Sequence, residues 1–162
     1  MTKLKCRGDR KDIQMPASEA SVVIARPVAE AWDYIISADR LAVWEPAVVE
    51  AEQITQGPVA VGTRWSGKSS LLGVKFSWVG EFTEVDVNKG TAFRSIESKL
   101  VFSNATRFEE AEGGTRFTYR MESESGLGGI FGKLADPLVN MAYGRALRAS
   151  LENLADILSA GH

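Results

Sequence analysis

The stretch KFSWVGEF, residues 75–82, decides how this chain of 162 residues folds. Every second residue, from Phe76 to Phe82, is apolar or glycine, and most residues between them are polar. This period of two is typical of a strand with one buried and one exposed face. The same alternation recurs at 116–121, where Phe117, Tyr119 and Met121 share a face. The sequence therefore predicts an antiparallel sheet that is covered on one side only.

The residues around this stretch supply the other elements. Turn signals at 56–58, 72–73, 88–90 and 112–114 divide residues 48–124 into successive strands. An earlier strand is predicted at 19–25, followed by short helices at 28–36 and 40–44 that Pro27 and Pro46 delimit. A long helical segment covers 127–160. We therefore expect an α+β fold in which a curved antiparallel sheet of about seven strands wraps around a long C-terminal helix.

The long helical segment carries two apolar stripes. The first contains Leu134, Leu138 and Met141, and the second runs from Leu147 to Leu158. At 100° per residue the stripes are rotated by roughly 130° from each other. Either a bend near Pro137 to Gly144 or a helix whose two halves meet different walls would reconcile them. In both cases we expect Leu134, Leu138 and Met141 to face the sheet.

The composition excludes several classes of chemistry. The only cysteine is Cys6 and the only histidine is His162, so no internal disulfide, cysteine–histidine metal site or histidine-based catalysis is expected. We predict no metal and no cofactor. A net charge of −2 argues against nucleic acid as a partner. No apolar run is long enough to span a membrane, and no secretory signal is recognisable, which favours a cytoplasmic protein without an integral membrane segment.

The charge is unevenly distributed along the chain. Residues 1–16 sum to +3 and the remainder to −5. We interpret residues 1–16 as a basic, flexible leader and residues 17–160 as a single ligand-binding domain. The alternative is that the leader is a basic arm that binds an acidic surface. The sequence leaves open whether the protein is a monomer or a homodimer.

The inward face of the sheet is the expected ligand site, because wide aromatic side chains and flexible methionines suit an apolar molecule. The alternative is that these side chains only fill a core. No inward carboxylate is predicted, and catalytic residues stay unassigned. Arg145 either faces the mouth of the cavity or is exposed. The predicted ligand-binding residues are Trp44, near the mouth, with Trp65, Trp78, Phe82, Phe93, Asn104, Thr106, Tyr119, Met121, Leu134, Leu138 and Met141.

Several short motifs follow one another in a specific order across residues 17–160. They are RPVAEAWDYI (26–35), AVWEP (42–46), VGT (61–63), FTEVD (82–86) leading into AFR (92–94), and GGTRFTY (113–119). In this order they resemble the START-like, helix-grip (SRPBCC) superfamily, in particular its polyketide cyclase/dehydrase and lipid-transport branch. The resemblance implies a cavity between the sheet and the C-terminal helix, but members range from enzymes to carriers.

Three functions are compatible with these features. The first is binding of a hydrophobic small molecule, such as a lipid, a sterol or a polyketide, without catalysis. The second is a metal-independent cyclase/dehydrase of the aromatase/cyclase type, which would fold a poly-keto chain and assist its closure with a few polar groups. The third is a partner-binding module with a vestigial cavity. Because no usable histidine or inward carboxylate is predicted, the sequence favours binding.

Overall fold

The computed structural model of the protein describes residues 17–123 and 136–160, the side chains of 136–140 excepted. Seven strands and three helices form this part of the chain. In chain order they are β1 (Ala17–Ile24), α1 (Val28–Ile35), α2 (Ala38–Trp44), β2 (Val48–Gln53), β3 (Arg64–Leu71), β4 (Val74–Asp86), β5 (Gly90–Ser98), β6 (Phe102–Ala111), β7 (Gly114–Ser123) and α3 (Asp136–Ser159).

The seven strands form one sheet in the order β1-β7-β6-β5-β4-β3-β2. Every neighbouring pair is antiparallel, and β2 to β7 follow one another as hairpins, whereas α1 and α2 carry the chain from β1 to the opposite edge. Register shifts interrupt the pairing of β2 with β3 after Val48 and the pairing of β4 with β5 at two places. Such bulges bend a strand and increase its twist, which curls the sheet. The predicted α+β helix-grip fold is confirmed.

The inner and outer faces of the strands follow the predicted alternation. In β4, Phe76, Trp78 and Phe82 are buried, whereas Lys75 and Ser77 are exposed. Two glycines make room for inner-face rings. A Cβ atom on Gly67 would lie 2.4 Å from the Trp78 ring, and one on Gly80 would lie 2.3 Å from the Phe93 ring. The rings therefore pack directly on the backbone of the neighbouring strand.

In the described part of the C-terminal helix α3, the second apolar stripe faces the core. Leu147, Leu151, Leu154 and Leu158 are buried against α1 and the strands. Four residues before Leu147, the same stripe reaches Tyr143, which is also buried. Met141 is 52% exposed and Arg145 is exposed. The helix continues through Gly144, and residues 127–135 of the predicted helical segment lie outside the described residues.

Arg26 joins both ends of the described domain. Its Nε atom donates to the carbonyl of Leu158, at the end of α3, at 2.7 Å. Its own carbonyl accepts from the hydroxyl of Thr115, at the start of β7, at 2.7 Å. A cation at a helix C-terminus satisfies a carbonyl that has no partner within the helix. This residue therefore fixes the last turn of α3 against β1 and β7.

None of the helices in residues 17–123 and 136–160 is long and apolar enough to cross a membrane.

Candidate functional site

A cavity of about 100 Å³ lies on the inner face of the sheet. Strands β3 to β7 form one wall, α1, α2 and the segment after α2 form another, and α3 contributes Tyr143 from the described residues. Nine of the twelve predicted ligand-binding residues line it, together with further apolar side chains that include Ile35, Leu41 and Leu100. The nine are Trp44, Trp65, Trp78, Phe82, Phe93, Asn104, Thr106, Tyr119 and Met121.

The aromatic wall of the cavity is held in a fixed arrangement by ring contacts. Phe82 packs edge to face on both Trp65 and Phe93, with ring centroids 4.9 and 5.0 Å apart. The indole of Trp78 donates to Ser69 Oγ at 2.9 Å, and that of Trp65 donates to Gln53 at 3.0 Å. Because these indole nitrogens already have partners, this wall offers mainly apolar surface.

The structure corrects the predicted positions of two site residues, and the side chains of two others lie outside the described residues. Trp44 lines the cavity but is only 2% exposed, so it is deeply buried and does not stand at a mouth. Met141 is exposed and does not line the cavity, because the leucine stripe turns the other face of α3 toward the core. Leu134 and the side chain of Leu138 lie outside the described residues.

Two of the predicted polar lining residues, Thr106 and Asn104, differ from each other in whether their side chains already have hydrogen-bond partners. Thr106 Oγ1 lies 2.7 Å from Thr91 Oγ1 and accepts from the Thr91 backbone N–H, so its hydrogen bonds are made within the sheet. Asn104 lies opposite Phe93 on β5 and Met121 on β7. Its side-chain amide has no hydrogen-bond partner among the described residues, so it is available to a molecule in the cavity.

The prediction that no carboxylate faces inward is wrong, because Glu45 does so. It follows the last residue of α2, is 2% exposed and lines the cavity. Tyr119 from β7 donates to its Oε2 atom at 3.0 Å, and Tyr143 from α3 donates a short hydrogen bond to the same atom. The backbone N–H of Ala47 donates to Oε1 at 2.8 Å. One carboxyl group thus connects the three walls of the cavity.

Burial controls the protonation of this cluster. Desolvation raises the pKa of the Glu45 carboxyl, and the hydrogen bonds from Tyr143, Ala47 and Tyr119 oppose that rise. The pKa values of both tyrosines lie well above the ordinary value, first because of burial and then because of the charge on Glu45. No lysine or arginine in the described part of the chain forms a salt bridge with Glu45. The cluster can therefore hold or transfer a proton in an apolar cavity.

The described residues contain no group of three or more histidine, cysteine, aspartate or glutamate side chains arranged to hold a metal ion. The polar residues that line the described cavity include Glu45, its two tyrosines, Asn104 and Ser123. Trp44 also lines the cavity. The Nε1 atom of Trp44 is buried and has no hydrogen-bond partner among the described residues.

Comparison with protein families agrees with this architecture. The model of the family described as polyketide cyclase/dehydrase and lipid transport matches residues 15–159. The chain belongs to this family. The earlier resemblance to the START-like, helix-grip superfamily is thereby confirmed. Comparison with curated proteins gave no match.

Solved structures of similar fold include proteins with quite different names. The protein TTHA0849 from Thermus thermophilus superimposes with a TM-score of 0.72 at 20% identity, covering 91% of this chain and 100% of that one. The ZhuI aromatase/cyclase from Streptomyces sp. R1128 gives 0.68 at 18% identity, covering 91% and 98%. Major latex-like protein 151 from Panax ginseng gives 0.62 at 10% identity, covering 86% and 96%. At these identities the likeness to the three structures concerns the fold alone.

Proposed function

We propose that the protein binds a hydrophobic small molecule in the cavity on the inner face of its sheet. The observation that carries this proposal is the aromatic wall, in which Trp65, Trp78, Phe82 and Phe93 line a cavity of about 100 Å³. A packed core would leave little such space, because protein interiors are close-packed. The name of the matching family, which includes lipid transport, supports the same proposal.

The size of the cavity defines the first ligands to test. An engineered cavity of about 150 Å³ binds benzene. The space of about 100 Å³ found here therefore corresponds to no more than one ring, unless side chains move. A lipid, sterol or polyketide requires the cavity to expand. Among the described apolar side chains that line it, Met121 has the most rotatable bonds.

The test is a titration with ring compounds of increasing size, from toluene to naphthalene, followed by a fluorescent fatty acid. We expect saturable binding with 1:1 stoichiometry and a change in tryptophan fluorescence, because Trp44, Trp65 and Trp78 line the cavity. If none of these compounds binds, the interior is a packed core and the proposal fails.

A matched pair of variants locates the binding. Met121→Trp places a large side chain inside the cavity, whereas Met141→Trp places the same side chain on the exposed surface of α3. We expect the first variant to lose binding and the second to retain it. Equal loss in both variants would show that the ligand binds elsewhere.

A second candidate function is that of a cyclase/dehydrase, which the Glu45 cluster favours. A buried carboxyl group with a raised pKa next to two hydroxyl groups can accept and return a proton at a carbon beside a carbonyl. The sequence favoured binding partly because no such carboxylate was predicted, so the presence of Glu45 supports this candidate.

Proton exchange distinguishes the two candidates. In D₂O, an enzyme of this kind accelerates deuterium incorporation beside the carbonyl of a small ring ketone such as cyclohexanone. Glu45→Gln abolishes that acceleration, and NMR measures the rate. If the native protein binds the ketone but its exchange rate equals that of buffer, binding without proton transfer is the better account.

A further inference from the structure

The described residues that line the cavity include one acidic side chain, that of Glu45, and no basic one. Its carboxyl group accepts from the hydroxyl of Tyr119 at 3.0 Å, from the backbone N–H of Ala47 at 2.8 Å and from the hydroxyl of Tyr143. All three donors are neutral. When it is ionised, this carboxyl group therefore places an unbalanced negative charge in the wall of a mainly apolar cavity.

The elements around Glu45 bring no cation to it. Tyr119 and Tyr143 are the titratable groups that face it, from β7 and α3. The charged side chains on the described parts of α1, α2, β2, β7 and α3 are exposed, except for Glu122, which is half-buried and accepts from Arg120. Burial raises the pKa of both tyrosines well above the ordinary value, so they stay protonated up to about pH 9. Below that pH, Glu45 is the group of this cluster that titrates.

A neutral apolar molecule in the cavity changes the surroundings of this carboxyl group. It replaces solvent with a medium that cannot solvate a charge, and removal of solvent favours the neutral form of a carboxyl. The interaction of a charge with its surroundings falls off slowly with distance, so the ligand need not touch the carboxyl oxygens. Tyr119 and Tyr143 cannot compensate, since each has one hydroxyl proton and already donates it to Oε2 of Glu45.

We propose that binding of a neutral apolar ligand in the cavity is coupled to the uptake of a proton from solution by Glu45, so that the protein binds such ligands more tightly at low pH than at high pH. This inference rests on the proposed binding function and adds a mechanism that regulates it. In the free protein, burial already raises the pKa of the carboxyl against the three hydrogen bonds, which lower it, and the ligand raises it further.

The sign of the coupling follows from these two pKa values of Glu45. Below the pKa of the free protein, the carboxyl is neutral with and without ligand, and the affinity is highest. Between the pKa of the free protein and that of the complex, binding takes up a proton and the affinity falls as the pH rises. Each unit by which the ligand raises the pKa corresponds to a ten-fold difference in affinity.

The test is calorimetric titration of the full chain with toluene at several values between about pH 5 and 9, the range that covers buried glutamates. Each titration is carried out in two buffers that differ in their enthalpy of ionisation, so the difference between the measured enthalpies gives the number of protons taken up. We expect an uptake that passes through a maximum, below one proton, within this range. The affinity for toluene should be several-fold higher at the low end than at the high end.

Two glutamate variants supply a matched comparison. Glu45→Gln replaces the carboxyl with a neutral amide, whereas Glu97→Gln makes the same change at an exposed position of β5 that does not line the cavity. We expect proton uptake and the pH dependence of toluene affinity to vanish in the first variant and to persist in the second.

Tyr119→Phe keeps the carboxyl and removes one donor that stabilises its charged form. The pH range of proton uptake should therefore move upwards in this variant. This shift decides the question if Glu45→Gln does not fold, and an unchanged range would count against Glu45 as the group that takes up the proton.

The outcomes separate the two proposals. If neither toluene nor the larger ring compounds bind at any pH, the proposed function fails and the coupling fails with it. If toluene binds with the same affinity across the range and without proton uptake, the cavity is a binding site but the coupling is overturned. Proton uptake that persists in Glu45→Gln belongs to another group and overturns the inference as well.

Discussion

The contact between Gly80 and Phe93 links the stability of the sheet to the shape of the cavity, and Gly80→Ala tests that link. The new Cβ would lie 2.3 and 2.4 Å from two atoms of the Phe93 ring and 2.7 Å from the carbonyl oxygen of Arg94. Carbon atoms at their optimum are about 3.5–4.0 Å apart, so the ring has to move by more than about 1 Å. The Phe93 side chain is 4% exposed and contacts the rings of Trp78 and Phe82. The displaced ring can therefore move only into the cavity.

The expected cost is that of overpacking a core, about 1–3 kcal/mol. For a chain of this size, that corresponds to a decrease in Tm of roughly 2–12 °C. Urea denaturation followed by circular dichroism measures the free energy of unfolding, and a toluene titration measures the cavity. We expect both stability and toluene affinity to fall, because the displaced ring occupies part of the binding space.

Two control variants test whether the loss of stability comes from the clash with Phe93. Gly144→Ala introduces the same methyl group into α3, where its nearest neighbours would be 3.7 and 3.9 Å away, so it should leave stability unchanged or raise it by up to about 1 kcal/mol. The double variant Gly80→Ala/Phe93→Leu should recover part of the loss, because the smaller side chain relieves the clash. If Gly80→Ala is as stable as the native protein and binds toluene equally well, the close packing of Phe93 on the strand is refuted.

Three further predictions concern other parts of the chain. Leu151→Ala should destabilise the protein by about 2–5 kcal/mol in urea denaturation, because Leu151 is buried. Met141→Ala, on the exposed face of α3, should change stability by less than about 0.5 kcal/mol. Equal losses of stability in the two variants would refute the assignment of the helix faces. Because burial raises the pKa of Glu45, protonation of this carboxyl stabilises the folded state. Relative to the Glu45→Gln variant, the native protein should be most stable at a pH below the ordinary glutamate pKa. It should lose this advantage as the pH rises through the raised pKa of Glu45 in the folded state. Unfolding curves of the two proteins between about pH 4 and 8 measure this difference, and a difference that does not vary with pH would contradict the burial of an ionisable group. Deletion of residues 1–15 should leave Tm and toluene binding unchanged, and a fall of more than a few degrees would show that this segment packs on the domain.

The strands and the aromatic wall were predictable because their signal is local. Alternation with a period of two assigns Phe76, Trp78 and Phe82 to one face, whatever the rest of the chain does. The buried face of α3 was harder to predict, because the sequence of the helical segment contains two apolar stripes. Extending the leucine stripe back by four residues from Leu147 reaches Tyr143, and this is the signal that would have predicted the burial of Tyr143.

Glu45 could not be found in this way. A glutamate just before a proline at a helix end is ordinarily exposed, and nothing within its neighbourhood in the sequence indicates burial. The hydroxyl groups that stabilise it come from Tyr119 and Tyr143, which lie 74 and 98 residues further along the chain. The nearest hint was the combination of an inward Tyr119 with a tyrosine on the helix, since buried tyrosine hydroxyls need partners.

The position of Arg26 has a consequence for how the chain folds during synthesis. Its side chain donates to the carbonyl of Leu158 in the last turn of α3, 132 residues later. While the ribosome adds those residues, the aromatic inner face of the sheet is made before the helix that shields it. A nascent chain in this state exposes a wide apolar surface, and such surfaces are prone to aggregate. The closure of α3 on β1 and β7 is therefore a late, long-range step in folding.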